Sequence, residues 1–424
     1  MKIVIASYGS RGDIEPCSAV GRELLRRGHD VCMAVPPNLL ELVESDGLEA
    51  VSYGRDSQTV FKSDFLQNLW KGFPGNLKDR GELLKSWRET RELVEKHWPE
   101  LNDKLVSLAR GSDLLLSGLI YEQLAANVAE YYNIPFATLH TFPLRPNGHW
   151  IPGVPPTVTR CGMRMFDWMN WLGTRSLEAT QRSQLGLPNA KGPSPRRIAE
   201  QKSLEIQAYD ELCFPGLAAE WEKWKAQRPF VGALTMDAPT DGDEDVASFI
   251  AAGTPPIYFG FGSIPAERPD ETIAMISTAC AELGERALVC SGWSNFKHAP
   301  HADHVKIVRA VNLSAVFRTC RAVVHHGGLG TMAAGLRAGV PALILWSITD
   351  GQIAGLQLKR LKVGTARRFS SSTSESLVAD LRQILAPEYV SRAREIASWM
   401  TTPRESAANA ADVLEIHARR GIIR

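Results

Sequence analysis

The sequence lacks the cysteine spacing of a disulfide framework or a zinc ribbon. Seven cysteines occur in 424 residues, an odd number without a Cys-x-x-Cys pair. Disulfides are typical of oxidising compartments, whereas unpaired thiols are typical of the cytoplasm. We therefore expect reduced thiols and a cytoplasmic protein.

Several functional signatures are also missing. No apolar run approaches the roughly 18 residues of a membrane span, and the Gly-x-x-x-x-Gly-Lys-Ser/Thr loop of an NTPase does not occur. The ten histidines include no His-x-x-x-His pair, and 48 Lys and Arg almost equal 47 Asp and Glu. The absence of a His-x-x-x-His pair predicts a protein without a metal. The balanced charge gives no sign of a nucleic acid partner.

The chain has instead the alternating pattern of an α/β protein. An apolar strand at Lys2 to Ala6 leads through a turn into a helix, and strand and helix patterns alternate over the first 55 residues. This alternation predicts a doubly wound parallel sheet with helices on both faces. The pattern resumes at 113–139, and a strand-like segment follows at Glu211 to Phe214.

A second α/β domain begins after an acidic stretch. There, Asp241-Gly242-Asp243 imitates the metal-binding Asp-x-Asp of some sugar transferases, but its polar surroundings favour a solvated loop. The strand and turn pattern restarts at Pro255 to Ser263. We expect strands in this domain at 257–259, 287–290, 305–308, 322–326 and 342–346.

These patterns predict two Rossmann-like domains. The first spans 1–230, a linker spans 231–254, and the second domain spans 255–402. The last segment, 403–424, reads as an amphipathic helix that packs back on the first domain. Parallel sheets bind ligands at the carboxyl ends of their strands, so two such domains facing each other would enclose a central cleft.

The most informative stretch is the turn that ends the strand at 322–326. It reads His325-His326-Gly327-Gly328-Leu329-Gly330-Thr331. Such a turn directs unpaired N–H groups and the positive end of a helix dipole at one point, where an anion is stabilised. His326, Gly330 and Thr331 are therefore candidate diphosphate ligands. The alternative is a purely structural glycine turn.

Two further turns carry candidate polar groups. Asp13 lies in the turn after the first strand, at the position of an N-cap, and its carboxylate can cap the helix or take a proton from a hydroxyl. Ser263 follows the strand at 257–259 and can bind a phosphate oxygen or cap the next helix. The residues alone leave both pairs of alternatives open.

The segment 145–197 is basic and rich in large apolar residues. It contains eight Lys or Arg against two Asp or Glu, and its block 163–172 is dominated by Met, Phe, Trp and Leu. This composition is typical of a surface that contacts lipid, but also of a core or an acceptor pocket. Peripheral contact with the inner face of the plasma membrane is therefore one expectation among three.

Four motifs carry a resemblance to a known family. They are Gly9-Ser10-Arg11-Gly12-Asp13-Ile14-Glu15-Pro16, Phe261-Gly262-Ser263, Ser291-Gly292-Trp293 and the stretch 325–331. Together they resemble the bacterial glycosyltransferases of GT-B fold, which modify glycopeptide antibiotics, sterols and mycobacterial glycolipids. The similarity spans nearly the whole chain, and the segment 141–148 looks closest to the mycobacterial lipid-modifying subgroup.

The resemblance implies a role for each motif. Asp13 would be the general base, beside Ser10, Arg11 and Gly12 near the donor phosphates. The diphosphate would be held by Ser263, His326, Gly328, Gly330 and Thr331. The nucleobase would meet Trp293 and the backbone of Val311, and the sugar would meet Asp350 and Gln352.

One departure from the family bears on the donor sugar. Family members often carry Asp-Gln where this chain has Asp350-Gly351-Gln352, so the glutamine position falls on Gly351. A deoxysugar with fewer hydroxyls, such as rhamnose, is therefore expected beside glucose.

The expected function follows from this resemblance. It is an inverting, metal-independent transfer of a hexose or deoxyhexose from a dTDP- or UDP-sugar to a hydroxyl of a hydrophobic acceptor. The subgroup likeness implies that this acceptor is a lipid or glycolipid. No cofactor is expected beyond this co-substrate. The alternatives are a non-catalytic activator of a partner enzyme and a sugar-nucleotide epimerase of the same architecture.

Overall fold

The computed structural model divides the chain into two units. It describes residues 1–61, 96–236, 243–262, 268–294, 296, 299–300, 302–347 and 349–422. The first unit comprises Met1–Met236 together with Pro403–Arg424, and the second comprises Asp237–Thr402. Each unit is built on its own parallel sheet.

The first sheet has six described strands in the order β3-β2-β1-β4-β5-β6, all parallel. They are β1 (Lys2–Ala6), β2 (Asp30–Val35), β3 (Glu49–Ser52), β4 (Leu114–Ser117), β5 (Phe136–His140) and β6 (Leu204–Gln207). The inner strands are apolar on both faces, as expected for a parallel sheet covered on two sides. The strand order reverses between β1 and β4, which makes their carboxyl ends the switch point of this sheet.

Helices cover both faces of the first sheet. They are α1 (Arg11–Arg26), α2 (Leu40–Ser45), α3 (Ser57–Phe61), α4 (described over 96–109), α5 (Glu122–Tyr132), α6 (Pro156–Gln184), α7 (Ser194–Glu200) and α8 (Leu217–Glu220). The longest of these, α6, contains 29 residues.

The second sheet repeats the topology of the first. Six described strands run parallel in the order β12-β11-β10-β7-β8-β9. They are β7 (Ile257–Gly260), β8 (Ala287–Cys290), β9 (Val305–Val308), β10 (Ala322–His325), β11 (Ala342–Trp346) and β12 (Gly364–Arg368). The order reverses between β7 and β10, so the turns after these two strands lie at the switch point.

The helices of the second unit surround this sheet. They are α9 (Asp243–Ala251), α10 (Pro269–Leu283), α11 (Leu313–Phe317), α12 (Leu329–Ala338), α13 (Thr349–Leu361), α14 (Ser374–Ile384) and α15 (Pro387–Ala397). Buried aromatic and aliphatic side chains, such as Phe259 and Leu343, fill the space between sheet and helices.

The last helix of the chain, α16 (Pro403–Ile422), belongs to the first unit. Its residues Ala410 and Leu414 are fully buried in the core of that unit. At its polar edge, Arg27 of α1 donates a hydrogen bond to Asp412 over 2.6 Å. The segment 403–422 thus packs on the first unit.

The structure differs from the predicted linker at 231–254. The first unit extends to Met236, and residues 243–251 form α9 in the second unit. Val246 is buried, and Phe249 and Ile250 pack against the same cluster. Their spacing of three and four residues gives one apolar helical face, and the acidic residues at 243–245 occupy the first turn, where the helix dipole favours them. Asp241 and Gly242 lie outside the described residues.

One strand prediction was wrong, and two strands were not predicted. The segment predicted as a strand at 211–214 begins with a 3₁₀ turn at Glu211–Cys213, and the strand in this region is β6. The strand β12 at the sheet edge was not predicted, because its sequence Gly-Thr-Ala-Arg-Arg is neither apolar nor alternating.

We predict that the buried face of α16 is essential to the first unit. Leu414→Ala should lower the free energy of unfolding by about 2–5 kcal/mol, since it leaves a cavity in a packed core. Ile416→Ala on the same helix is the control, because Ile416 is 51% exposed. Urea unfolding of the two variants checks the difference, and equal stability would contradict this role of α16.

Candidate functional site

The turn after β1 lies at the switch point of the first unit. Ser10 is the N-cap of α1, and the helix begins at Arg11. Asp13 is therefore the third helical residue and not the N-cap, which corrects the position predicted from sequence. The reason is that Ser10 already has extended backbone angles, φ −85° and ψ 178°, which an N-cap requires.

Asp13 still takes part in capping. Its Oδ2 accepts hydrogen bonds from the Ser10 backbone N–H at 2.7 Å and from the Ser10 hydroxyl at 3.0 Å. Within the described part of the chain, no hydrogen bond to its Oδ1 is found. The turn thus uses one of the two carboxylate oxygens.

Burial sets the proton affinity of this carboxyl group. Burial raises the pKa of Asp13, and the two hydrogen bonds from Ser10 only partly oppose the rise. A carboxylate with a raised pKa accepts a proton more readily than an ordinary aspartate. The geometry therefore suits both readings left open by the sequence, a capping group and a general base.

Arg11 and Gly12 flank Asp13 on the first turn of α1. The guanidinium of Arg11 donates to Glu15 over 2.9 Å, and its side chain is 43% exposed. Gly12 is exposed. Both residues remain candidate ligands. A bound anion would compete with Glu15 for the Arg11 guanidinium.

Three turns meet at Gly262 in the second unit. Gly262 follows β7 and has a φ of +58°, and a Cβ atom there would lie 2.2 Å from Cε1 of His326. On its other side, its carbonyl oxygen accepts a hydrogen bond from Trp293 N–H at 3.0 Å. A Cβ atom at Gly292 would lie 2.2 Å from the same oxygen. Only glycine fits where the turns after β7, β8 and β10 pack this closely.

The two histidines of the turn have pKa values below the ordinary histidine range. Burial lowers the pKa of His325, and the nearby His326 adds to the fall, which brings it to about 3. Burial also lowers the pKa of His326, against a hydrogen bond to the backbone of Gly260. A neutral imidazole offers one N–H donor, and a charge-assisted bond from His326 requires that a bound anion first raise its pKa.

Both rings have polar atoms without partners among the described residues. The Nδ1 of His325 accepts a hydrogen bond from the Gly327 N–H at 3.2 Å, whereas its Nε2 is buried and unpartnered. The Nδ1 of His326 is also buried and unpartnered. Both histidines line a small pocket at this edge of the sheet, together with Phe261, Ser347 and Phe369. An unpartnered buried ring nitrogen is expensive unless a ligand or a water molecule satisfies it.

The helix α12 begins at this pocket. Gly328 is its N-cap and has no side chain to cap it, and the first helical hydrogen bond runs from Met332 N–H to the Gly328 carbonyl over 2.9 Å. The N–H groups of Leu329, Gly330 and Thr331 therefore have no partner within the helix. These N–H groups and the helix dipole are the features on which the predicted anion site depends.

The structure explains the glycine at position 351. A Cβ atom on Gly351 would lie 2.4 Å from the His326 carbonyl oxygen and 3.1 Å from Cβ of Trp346. A glutamine at this position would thus displace the histidine turn. Asp350 and Gln352 stand on either side in the first turns of α13, and Gln352 is half-buried.

The remaining predicted ligands have varied positions. Trp293 is half-buried in the turn after β8. The side chain of Val311 is buried in a hydrophobic cluster, which leaves only its backbone for a ligand. Ser263 lies outside the described residues.

The sequence analysis missed a buried ionic cluster in the first unit. It counted Arg145 only among the basic residues of the segment 145–197, but Arg145 is buried and pairs with Glu122 at 2.8 Å and with Glu205. Burial alone would raise the pKa of Glu122, but the Arg145 charge and the hydrogen bonds from His140 and Arg145 together lower it to about 2. The second arginine on Glu205 is Arg228, at 2.6 Å. These partners are far apart in sequence, so no local motif announces them.

Metal ligands are not grouped in the described parts of the two units. No three His, Cys, Asp or Glu side chains lie close enough there to hold an ion.

Two known domain families match the chain, one in its first half and one in its second half. Residues 3–147 match the model of the glycosyltransferase family 28 N-terminal domain, and residues 291–414 match that of the erythromycin biosynthesis protein CIII-like C-terminal domain. An uncharacterized glycosyltransferase of Mycobacterium tuberculosis is 58% identical over 423 residues, covering 99% of this chain and 100% of the relative.

Solved structures confirm the predicted α/β fold with two doubly wound sheets. The glycotransferase of kitacinnamycin has a TM-score of 0.69 at 16% identity, covering 99% of this chain and 98% of its own. The glycosyltransferase VinC, solved in complex with dTDP, has a TM-score of 0.65 at 18% identity, covering 99% of this chain and 100% of its own.

We predict that replacing Gly262 destabilises the protein. Gly262→Ala should lower the free energy of unfolding by about 1–3 kcal/mol, because it adds a Cβ atom at positive φ against the His326 ring. Gly335→Ala in the middle of α12 is the matched control, since a Cβ atom there meets nothing within 4 Å. That control should gain roughly 0.5–1 kcal/mol. Differential scanning calorimetry compares the two, and an unharmed Gly262→Ala variant would disprove the close packing.

Proposed function

The chain belongs to the glycosyltransferases of GT-B fold, and from this premise we propose that it transfers a hexose or deoxyhexose from a dTDP- or UDP-sugar to a hydroxyl of a hydrophobic acceptor. The second unit binds the donor, and the first unit provides the base. The single observation that carries the proposal is the α12 N-terminus beside two histidines with unpartnered ring nitrogens.

The donor site is argued from its chemistry. A nucleoside diphosphate has anionic oxygens that match the free N–H groups of Leu329, Gly330 and Thr331. It also offers acceptors to a histidine N–H. That VinC was solved with dTDP supports the same class of donor for this chain.

Gly351 supports a donor sugar with few hydroxyls to grip. The backbone packing around it leaves no room for a longer side chain, so Asp350 and Gln352 are the polar side chains that this part of α13 offers. A deoxyhexose such as rhamnose fits this reduced set, and glucose remains the second candidate.

Asp13 is proposed as the base of an inverting reaction. Its free Oδ1 takes the proton of the acceptor hydroxyl while the acceptor oxygen forms a bond to the anomeric carbon. The bond from that carbon to the diphosphate oxygen breaks on the opposite face, and the electron pair leaves with dTDP or UDP. Inversion of the anomeric centre follows from this single displacement.

The leaving diphosphate is proposed to be stabilised without a metal. The positive end of α12 and a histidine that becomes protonated as charge accumulates supply the compensating field. His326 is the better placed of the two, because it lies against Gly262 and Gly328 at the mouth of the turn.

A hydrophobic acceptor is supported by the loop that follows β5. Phe142 packs edge-on against Trp150 at 6.1 Å and against Phe214 at 5.7 Å between ring centroids. This aromatic group lies at the carboxyl end of the first sheet, where doubly wound sheets bind their ligands. An aromatic cluster at this edge of the sheet favours an acceptor with a large apolar part.

We predict that Asp13→Asn lowers kcat by about 10²–10⁴-fold, since a positioned base contributes that much. Asn keeps an oxygen for the Ser10 N–H, so the turn should survive, and Asp30→Asn at the amino end of β2 is the control. The acid limb of the wild-type kcat/KM profile should lie above the ordinary aspartate range, because the raised pKa keeps Asp13 protonated to higher pH. Full turnover by Asp13→Asn would exclude it as the base.

We also predict that His326→Ala weakens dTDP binding. Loss of a hydrogen bond to a charged group removes about 1.5–3 kcal/mol, or roughly 10- to 150-fold in Kd. His304→Ala is the matched control, because His304 bonds the Ser277 carbonyl at 3.0 Å on another loop. Calorimetric titration in excess EDTA measures both. Binding that needs a divalent metal, or that ignores His326, would contradict the proposed donor site.

A further inference from the structure

The helix α6 presents an apolar face to solvent. Along its first five turns, large apolar side chains are 45–63% exposed. They are Val158, Met165, Phe166, Trp168, Met169 and Leu172. With a rise of 1.5 Å per residue, the face runs for about 21 Å from Val158 to Leu172. Soluble monomers rarely expose a contiguous apolar surface of this kind without a function.

The opposite face of α6 is fastened to the first unit. Gln181 accepts a hydrogen bond from Asn127 at 2.8 Å, and Arg182 pairs with Glu130 at 2.8 Å. Met163 is also buried. Rotation of the helix to bury its apolar face would break these contacts, so the face stays outward.

The charges of α6 are sorted between its two faces. Its two acidic residues point inward: Glu178 is buried against Arg197 at 2.6 Å, and Asp167 is half-buried toward the Arg145 and Glu122 pair. Burial raises the pKa of Asp167 to about 6, while Arg145 lowers it and Glu122 raises it. The outward face thus carries no acidic side chain.

Two exposed arginines border the apolar face. Arg164 and Arg175 are eleven residues apart, so they lie within about 20° of each other around the helix, next to Trp168. An apolar stripe with tryptophan and a cationic border is the pattern of a helix that lies in a membrane interface. No described helix, α6 included, is long and apolar enough to cross a membrane.

We propose that this face, residues 158–172 with Arg164 and Arg175, docks the protein on an anionic lipid surface. The apolar side chains enter the acyl boundary, and the two arginines contact lipid phosphates. A second copy of the chain is the poorer occupant, because a two-fold contact of this face with itself brings four arginines together with no acid to pair them. The inference stands apart from the proposed sugar transfer, since docking requires neither donor nor acceptor.

Vesicle co-sedimentation of the full chain tests the proposal. Two vesicle types are used, phosphatidylcholine alone and an equal mixture with phosphatidylglycerol. The wild type should partition onto the mixed vesicles and much less onto phosphatidylcholine, and added salt should weaken binding. Arg164→Gln with Arg175→Gln should lower the partition coefficient about fivefold for each arginine removed.

A triple variant tests the apolar part of the face. Met165→Ser, Trp168→Ser and Leu172→Ser together should abolish partition, with the melting temperature kept because these side chains are exposed. Trp399→Ser is the matched control, since Trp399 is 54% exposed on the second unit. Equal partition of the triple variant and the wild type would overturn the proposal. So would a wild-type dimer by light scattering that becomes monomeric in the triple variant without any vesicle binding.

Discussion

The close packing of three backbone turns at Gly262 is the constraint on which the candidate donor site depends. The missing side chain lets the turn after β7 lie against both the His326 ring and the turn after β8. The histidine is thereby held beside the N-terminus of α12, and Gly351 completes the arrangement by leaving room for the His326 carbonyl. The packing of the turns requires glycine at these positions, and the candidate anion site depends on that packing.

The first unit meets a different demand at Asp13. The Asp13 carboxylate accepts a hydrogen bond from the Ser10 backbone N–H. The same carboxylate is proposed to take a proton from the acceptor hydroxyl. Because only Oδ2 is used for the turn, the two roles do not exclude each other. Burial, which would be a liability for a purely structural aspartate, raises the pKa of Asp13 in the direction that a base needs.

Much of the fold could be predicted from sequence, and the failures have physical causes. Apolar strands such as β1 and β10 are recognisable in the sequence as continuous apolar runs, because both faces of a parallel sheet are buried. The strand β6 does not, since Glu205 and Gln207 are buried in it, and their partners Arg145 and Tyr209 are recognised only in three dimensions. Asp13 was assigned to the N-cap because Ser10 and Asp13 are both good capping residues. In the site, the sequence motifs predicted His326 and Gly330 as ligands. The lowered pKa of the histidine and the reason for Gly351 depend on packing, and the sequence alone does not reveal them. The roles of these residues in the reaction stay predictions.

The most direct test of the donor site is a crystal structure of the protein grown with dTDP and EDTA. The account predicts the diphosphate oxygens within hydrogen-bond distance of the N–H groups of Leu329, Gly330 and Thr331, with a ring nitrogen of His326 on the same anion. A diphosphate bound elsewhere, or bound only through an added metal ion, would contradict it.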